Sequence, residues 1–386
     1  MKTMAPSSEG GQLGSSGAEE VGSAGPDPLI AWGWTPERAL AFTPHAAAGL
    51  GPGRVVGEST GRYRVQIGAR EVPAHLAGRL RREADGSGDR LVVGDWVALR
   101  PPAGPEDEAV VRVLLPRTSR IARQAGSELL AQRVLAANVD LLLIVQALGR
   151  DTNPRRLERY LALAWSSGAE PAVVLNKADL HADAGPYLEA LRSVTMGVTC
   201  HVVSATSGLG LAGLRAELRP GRTLALIGSS GVGKSTLVNA LLGTDRQATA
   251  AVRDDDRGRH TTVSRELIAA PGGGLLLDTP GMRALAPWAA EAGLGATFAD
   301  IDTLAAACRF NDCRHLDEPG CAVVAAIEAG ALPPGRLANR RKIERELAAQ
   351  ARRNDAHQRE VERRRWKTIE RGLRAREQAR QRAVDR

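Results

Sequence analysis

The chain has 386 residues, of which 43% are hydrophobic and 25% charged, with a formal net charge of +8. This length is enough for two or three domains, and the composition is typical of a soluble globular protein. No apolar run approaches the ~20 residues that a membrane span needs, and the first residues lack the apolar stretch of a signal peptide. These features exclude a membrane-spanning or secreted class, so we expect a cytoplasmic protein.

The start of the chain is rich in Gly, Ser and Pro, and residues 1–48 are predicted to form a mostly disordered extension. Short β-rich segments separated by turns follow: GRVVGES, RYRVQIG, REVPAHL, DWVALRPP and AVVRVLLP. Five such strands predict a small barrel over residues 49–125, and the OB-fold is the commonest five-stranded candidate, although SH3-like barrels look similar in sequence. Tyr63 and Trp96 are its candidates for stacking on nucleic-acid bases.

Residues 126–295 have a different sequence pattern, in which apolar segments typical of buried strands alternate with helical segments. The strand LLLIVQAL is followed by the helical NPRRLERYLALAWSSG, the strand EPAVVLN by the helical GPYLEALRSV, and the strands TCHVV and TLALIG come next. This rhythm predicts a doubly wound, mainly parallel α/β sheet.

A phosphate-binding loop is predicted where GSSGVGKST follows the strand TLALIG and precedes a helical segment, a complete match to GxxxxGK[ST]. Glycines let backbone N–H groups converge on phosphate oxygens, and the helix N-terminus adds the positive end of its dipole. Lys234 is expected to bridge the β- and γ-phosphates, and Ser235 to ligate Mg²⁺. The predicted phosphate-binding residues are Gly228, Ser229, Ser230, Gly231, Val232, Gly233, Lys234, Ser235 and Thr236.

A second phosphate motif, DTPG, ends the strand LLLD, 44 residues after Lys234. An acidic residue at this point holds Mg²⁺ directly or through water, and the backbone of the glycine senses the γ-phosphate. Asp278 and Gly281 are the predicted residues.

Guanine recognition is predicted for NKAD, at the end of the strand EPAVVLN. Asp179 would accept hydrogen bonds from guanine N1–H and its amine, whereas adenine would leave the carboxylate unpaired. Asn176 would contact the O6/N7 edge and steady the phosphate loop, and Lys177, which follows it, is also predicted to bind the nucleotide. Twenty-five residues after Asp179, VVSATSG places Ser204 and Ala205 where a backbone N–H meets O6.

The base-reading motifs thus precede the phosphate motifs, the reverse of the usual GTPase order. A sheet whose chain ends lie close together can be permuted without changing its site. The chain resembles the circularly permuted GTPases and, within them, the ribosome small-subunit-dependent GTPase A family, over roughly Gly49 to Arg345. The resemblance implies GTP hydrolysis that is stimulated by the small ribosomal subunit, late maturation of that subunit, and docking on ribosomal RNA.

The switch segment DDDRGRHTTVSRELI carries the expected catalytic loop. Thr261 or Thr262 would complete the Mg²⁺ shell, and the sequence does not choose between them. Ras-like enzymes place a water-orienting Gln after the DxxG glycine, but Met282 stands here. The family is similar in carrying a hydrophobic residue at that position, and the resemblance implies that the histidine of RHTT, His260, positions the attacking water.

A metal site is predicted in CRFNDCRHLDEPGC, where Cys308, Cys313, His315 and Cys321 fall within fourteen residues. In a cytosolic chain such a cluster indicates a metal before disulfides. A Cys₃His set suits tetrahedral Zn²⁺ and leaves no open position, so the zinc would be structural. The spacing also matches the zinc motif of the family. The zinc-binding subdomain is predicted over residues 296–345.

The remaining residues, 346–386, are predicted to be a basic tail, helical or disordered. From Arg336 to Arg386 the chain has 18 Lys and Arg against 8 Asp and Glu, a balance of +10 that leaves −2 for the rest. The segment indicates a polyanionic partner such as RNA, and nothing in the sequence indicates an oligomer. Two other classes stay open: a non-ribosomal RNA- or DNA-binding module whose nucleotide site only regulates binding, and a P-loop ATPase or kinase with a chance NKAD.

Overall fold

The computed structural model of the chain describes residues 27–59, 61–87, 90–124, 132–244, 265–278, 291–349, 351, 352 and 363. In chain order these form a barrel, an α/β sheet and a C-terminal group of helices. No helix in these ranges is both long and apolar enough to cross a membrane.

The first part is the five-stranded OB-type barrel that the sequence predicts. Neighbouring strands pair antiparallel, except for one parallel pair between the third and fifth strands, and the first strand pairs with the fourth to close the ring. Its elements are β1 (Gly51–Ser59), β2 (Arg62–Ile67), β3 (Arg70–Leu76), α2 (Gly78–Ser87), β4 (Trp96–Arg100) and β5 (Ala109–Leu114).

The two predicted stacking residues of the barrel are both buried. In β2, Tyr63 and Val65 are buried whereas Arg62 and Arg64 are exposed, as the period-two pattern predicts. Tyr63 is 7% exposed and Trp96 is 0% exposed. The hypothesis that these rings stack on bases is wrong, because both belong to the core of the fold.

An ordered N-terminal segment packs on this barrel, although residues 1–48 are predicted to be mostly disordered. It consists of a short 3-10 helix (Pro28–Trp32) and α1 (Pro36–Ala46). Leu29 and Phe42 are buried in one cluster with Trp96 of β4. The few apolar residues of this segment therefore pack it against the barrel, which composition alone did not reveal. Residues 1–26 lie outside the described ranges.

The second part is the predicted doubly wound sheet, with strand order β10-β9-β8-β11-β13-β12. All neighbours are parallel except β12 and β13. Buried clusters cover both faces, and every residue of β8 is buried, as expected for a central parallel strand. Its strands are β8 (Leu141–Ala147), β9 (Glu170–Asn176), β10 (Thr199–Val202), β11 (Thr223–Ile227), β12 (Arg265–Ala269) and β13 (Leu275–Asp278), and its helices are α3 (Pro154–Ser167), α4 (Gly185–Leu191), α5 (Leu211–Arg215) and α6 (Lys234–Leu242).

One strand joins the barrel to this sheet. β12 pairs with β13 on one side and with β1 of the barrel on the other, so that eleven strands form one continuous sheet. Two ion pairs flank the seam: Arg265 contacts Glu58 at 2.9 Å, and Arg64 contacts Glu266 at 2.7 Å. The strand at the end of the predicted switch segment is thereby attached to both parts of the molecule.

A separate hairpin of β6 (Arg120–Gln124) and β7 (Gln132–Ala137) spans the predicted boundary at residue 125. The C-terminal helices pack around a small core that includes Phe298, Ile301 and Val323. They are α7 (Glu291–Thr297), α8 (Ala299–Ala305), α9 (Ala322–Glu328) and a helix over residues 334–349, here called α10. This last helix crosses the predicted boundary at residue 345.

Candidate nucleotide site and metal centre

The predicted phosphate loop connects β11 to α6 at the carboxyl edge of the parallel strands. Its backbone needs glycine: φ is 147° at Gly228, 78° at Gly231 and 90° at Gly233. A β-carbon at Gly228 would collide with the carbonyl of Val145, and one at Gly233 with the side-chain amide of Asn176. The loop thus lies against its neighbours with bare backbone, as a phosphate cradle requires.

Lys234 lies inside the curve of this loop. Its side chain is largely buried at 8% exposure, and Nζ donates to the carbonyl oxygens of Gly228 (2.8 Å) and Ser229 (2.5 Å). Ser235 and Thr236 follow it in the first turn of α6 and are half-buried. A compact positive charge and a hydroxyl therefore stand together at one helix N-terminus.

The predicted guanine motif lies beside the predicted phosphate loop. Asn176, at the end of β9, is 2% exposed. Its Nδ2 donates to the carbonyl of Val232 at 2.9 Å, and its Oδ1 accepts the N–H of Ala205 at 3.1 Å. One side chain thus connects NKAD, the phosphate loop and the loop after β10.

The rest of the motif turns sharply towards solvent. Lys177 has a left-handed φ of 64°, and Asp179 is exposed in the 3-10 helix Ala178–Leu180. Ser204 is fully buried, and its Oγ accepts the N–H of Ser207 at 3.1 Å. The motif thus offers an exposed carboxylate, and the loop after β10 forms an ordered backbone turn.

Asp278 ends β13, which is hydrogen-bonded in parallel to β11. Because parallel strands end at the same edge of a sheet, Asp278 lies on the edge from which the phosphate loop departs. His260, Thr261, Thr262, Gly281 and Met282 lie outside the described residues.

Helix α3 supplies a contact to the phosphate loop that the sequence did not predict. Arg156 Nη1 donates to the side-chain oxygen of Ser229 at 2.7 Å, and it also contacts Asp151. Tyr160, one turn further on, is 5% exposed. The order of the elements could have indicated this contact. Because α3 follows a central parallel strand, its first turn begins at the edge of the sheet where the phosphate loop lies.

The predicted metal ligands come together after α8. The sulfur atoms of Cys308, Cys313 and Cys321 and a ring nitrogen of His315 all lie within 4.8 Å of one another. Cys308 Sγ is 3.9 Å from Cys321 Sγ and 3.6 Å from His315 Nδ1, and Cys321 Sγ is 3.5 Å from that nitrogen. Tetrahedral zinc with its usual bond lengths sets S···S edges of about 3.8 Å and S···N edges of about 3.5 Å. The donor set fits this ion.

The loop around these ligands is held by polar contacts. The N–H groups of Arg314 and Leu316 each donate to the Glu318 carboxylate at 2.8 Å, and backbone hydrogen bonds, first that of Arg314, lower the pKa of Glu318 to about 2. Arg341 of α10 donates to the carbonyl of His315 at 2.7 Å. Burial, and then the charges of Arg340 and Arg341, lower the pKa of His315, which favours the neutral imidazole that binds metal.

A doubly wound sheet in which the guanine loop precedes the phosphate loop, with an OB-type barrel before it, defines a circularly permuted GTPase. The family model described as RsgA GTPase matches residues 114–288. A relative from Opitutus terrae, the small ribosomal subunit biogenesis GTPase RsgA, is 47% identical over 316 residues, covering 80% of this chain and 86% of the relative. The chain belongs to the RsgA GTPase family.

Other comparisons agree with this membership. The small ribosomal subunit biogenesis GTPase RsgA of Streptomyces avermitilis is 47% identical over 281 residues, covering 72% of this chain and 75% of that protein. Among solved structures, YjeQ from Thermotoga maritima aligns with a TM-score of 0.58 at 26% identity, covering 78% of this chain and 99% of the other. The circularly permuted GTPase YloQ aligns with a TM-score of 0.57 at 24% identity, covering 78% and 96%, which shows a shared fold.

Proposed function

We propose that this GTPase acts in late maturation of the small ribosomal subunit, that intact subunits stimulate its hydrolysis of GTP to GDP and phosphate, and that it works as a cytoplasmic monomer. The relatives at 47% identity are named for biogenesis of that subunit. The observation that carries the nucleotide part is the connection of Val232 and Ala205 through Asn176, because it joins a guanine-reading loop to a phosphate loop.

The nucleotide would lie along the carboxyl edge of the sheet. The phosphate loop from Gly228 to Thr236 would surround the phosphates, with Lys234 as their point charge. Asp179 would select guanine, and the backbone near Ser204 and Ala205 would approach O6. Adenine would leave Asp179 without matching donors, which is the physical basis for preferring GTP over ATP.

Mg²⁺ is the divalent ion that GTPases use to neutralise charge on the β- and γ-phosphates. Ser235 and one of Thr261 and Thr262 would ligate it, with Asp278 acting directly or through a water. The backbone of Gly281 would sense the γ-phosphate. Residue His260 would orient the attacking water, since Met282 cannot hydrogen-bond it.

The zinc centre would be structural. Four protein ligands, Cys308, Cys313, His315 and Cys321, fill a tetrahedral shell and leave no position for a substrate. The ion would connect the end of α8 to the start of α9, and Arg341 would connect this centre to α10.

Ribosomal RNA is the proposed docking partner of the basic C-terminal part. In α10 and just beyond it, Lys342, Arg345 and Arg352 are exposed, and the segment from Arg336 onward has the balance of +10 given above. Phosphate neutralisation by such side chains makes binding fall steeply with salt. Hydrolysis would then loosen the grip by releasing the switch segment.

Two measurements test the proposal. GTP turnover is measured for the protein alone, with intact small ribosomal subunits, and with an unrelated structured RNA as long as the ribosomal RNA of that subunit. We expect stimulation by the subunits only. Equal stimulation by both would instead indicate a nucleotide-regulated RNA-binding module. Asp179→Asn is expected to lower the preference for GTP over ATP, and an unchanged preference would contradict the guanine assignment.

A further inference from the structure

The first turns of α3 approach the phosphate loop through one hydroxyl group. Arg156 Nη1 donates to Ser229 Oγ at 2.7 Å. Tyr160 lies four residues later, on the same face of the helix, and is almost fully buried. Burial, the largest cause, raises the pKa of its phenol above the ordinary value. Arg156 of this helix face thus contacts the second residue of the loop.

Arg156 is itself held in place from the sheet. Its backbone N–H donates to Asn153 Oδ1 at 3.0 Å, which caps the start of α3. The same Nη1 that contacts Ser229 also contacts the carboxylate of Asp151. That carboxylate accepts the N–H of Ala147, the last residue of β8, at 3.4 Å. The guanidinium is therefore anchored to a central strand, and these contacts restrict its position.

Ser229 is engaged from both ends. Its side-chain oxygen accepts a hydrogen bond from Arg156, and its carbonyl oxygen accepts one from Lys234 Nζ at 2.5 Å. A phosphate must draw that ammonium towards itself, and the loop backbone must keep its curvature while the ammonium moves. A side-chain anchor that does not touch the phosphate is suited to hold the backbone during this exchange.

We propose that Arg156 is a positioning residue of the nucleotide site, which fixes the phosphate loop through Ser229 Oγ. The inference rests on the nucleotide site proposed above. It predicts that the contact contributes to affinity for guanine nucleotides, because the free loop is held near its bound shape before the phosphate arrives.

The same helix provides a matched control. Arg155 precedes Arg156 and pairs with Glu158 at 2.6 Å, on the side of α3 that faces the C-terminal helices. Glu158 also accepts Arg336 at 3.0 Å, so it keeps a cationic partner when Arg155 is removed. Arg155→Ala thus deletes an equal charge from the same turn without touching Ser229.

The test is calorimetric titration of the full-length chain with GDP and with a non-hydrolysable GTP analogue. We expect Arg156→Ala to weaken both affinities about tenfold, a loss of about 1.4 kcal/mol, to raise KM for GTP by a similar factor, and to leave kcat within twofold. The unfolding midpoint without nucleotide should match that of Arg155→Ala, and Arg155→Ala should bind like the wild type. If Arg156 only stabilises the fold, Arg156→Ala should lower the unfolding midpoint and leave the affinity for nucleotide unchanged, which would contradict the inference.

A double-variant cycle completes the test. Ser229→Ala should weaken binding at least as much as Arg156→Ala, and the double variant should bind no more weakly than Ser229→Ala, because both changes break one contact. Losses that multiply, or an Arg156→Ala affinity equal to that of Arg155→Ala, would overturn the inference. Lys234→Ala, which tests the nucleotide site itself, separates this failure from failure of the proposed function.

Discussion

The side-chain amide of Asn176 donates to the carbonyl oxygen of Val232 at 2.9 Å, across 56 positions of sequence. Its own oxygen accepts the N–H of Ala205. An amide carries a donor and an acceptor on one rigid plane, so it satisfies both neighbours at once. The residue that reads the base edge in the proposed site is thus also the one that connects three loops.

Asn176→Asp is expected to weaken guanine nucleotide binding by about ten- to a hundredfold, or about 1–3 kcal/mol. The new carboxylate has the shape of the amide but offers only acceptors, so it would face the Val232 carbonyl without a proton. Dissociation of a fluorescent GDP analogue measures the effect. The exposed Asp183→Asn, in the segment that follows, is the control and should release GDP at the wild-type rate. Equal rates for the two variants would contradict the connecting role.

His260→Ala is expected to leave affinity for GDP and for a GTP analogue unchanged and to lower turnover by about a hundredfold. The reason is chemical: the position where Ras-like enzymes carry a water-orienting Gln is Met282, so another polar group must do this work. Single-turnover hydrolysis with small subunits present measures it. Unchanged stimulated turnover would refute the role of His260.

The Cys₃His centre is expected to hold one zinc per chain. Since Cys321 begins α9 and Cys308 follows α8, loss of the ion should open the loop between these helices. Cys321→Ser or a strong chelator should release the zinc and speed tryptic cleavage after Arg309 and Arg314. Cys200→Ser, whose thiol lies beside the α/β sheet, should keep the zinc. Zinc-free protein with freely titratable thiols would end the assignment.

The sequence predicted the parts of this molecule better than their connections. Motifs such as GSSGVGKST combine fixed spacing with a strand before and a helix after, so local pattern alone placed Lys234 and Asn176 at one edge of a sheet. The barrel was also predictable, because short β-rich segments separated by turns mark its strands and period-two alternation marks β2. These features depend on residues that are near one another in sequence.

Contacts between segments that are distant in the sequence left no local pattern from which they could be predicted. The seam between β12 and β1 joins strands more than 200 residues apart, and its ion pair of Arg265 with Glu58 uses residue types found on any surface. Trp96 was expected to be an exposed platform, yet it is buried because the N-terminal helices cover it. Arg156 looked like one charge among several on a helix until the fold placed it against Ser229.

Arg54 is the clearest example of such a hidden connection. This arginine of β1 is 1% exposed and lies over the ring of Trp96 at 5.3 Å. Its guanidinium donates to the carbonyls of Trp32 and Asn138 and to the hydroxyl of Thr223, the last two at 3.1 and 2.8 Å. The N-terminal segment, the barrel and the α/β sheet therefore meet at one side chain.

Arg54→Met is expected to lower the free energy of unfolding by about 3 kcal/mol, because methionine keeps the apolar stem but leaves buried oxygen acceptors without donors. Thermal unfolding of the full-length protein measures the loss, and protease cleavage before residue 49 reports release of the N-terminal segment. Arg62→Met, an exposed change on the neighbouring strand, should stay within about 0.5 kcal/mol of the wild type. If the two variants unfold at the same temperature, Arg54 does not hold the three parts together, and the apolar contacts of the N-terminal segment and the shared sheet at β12 do so instead.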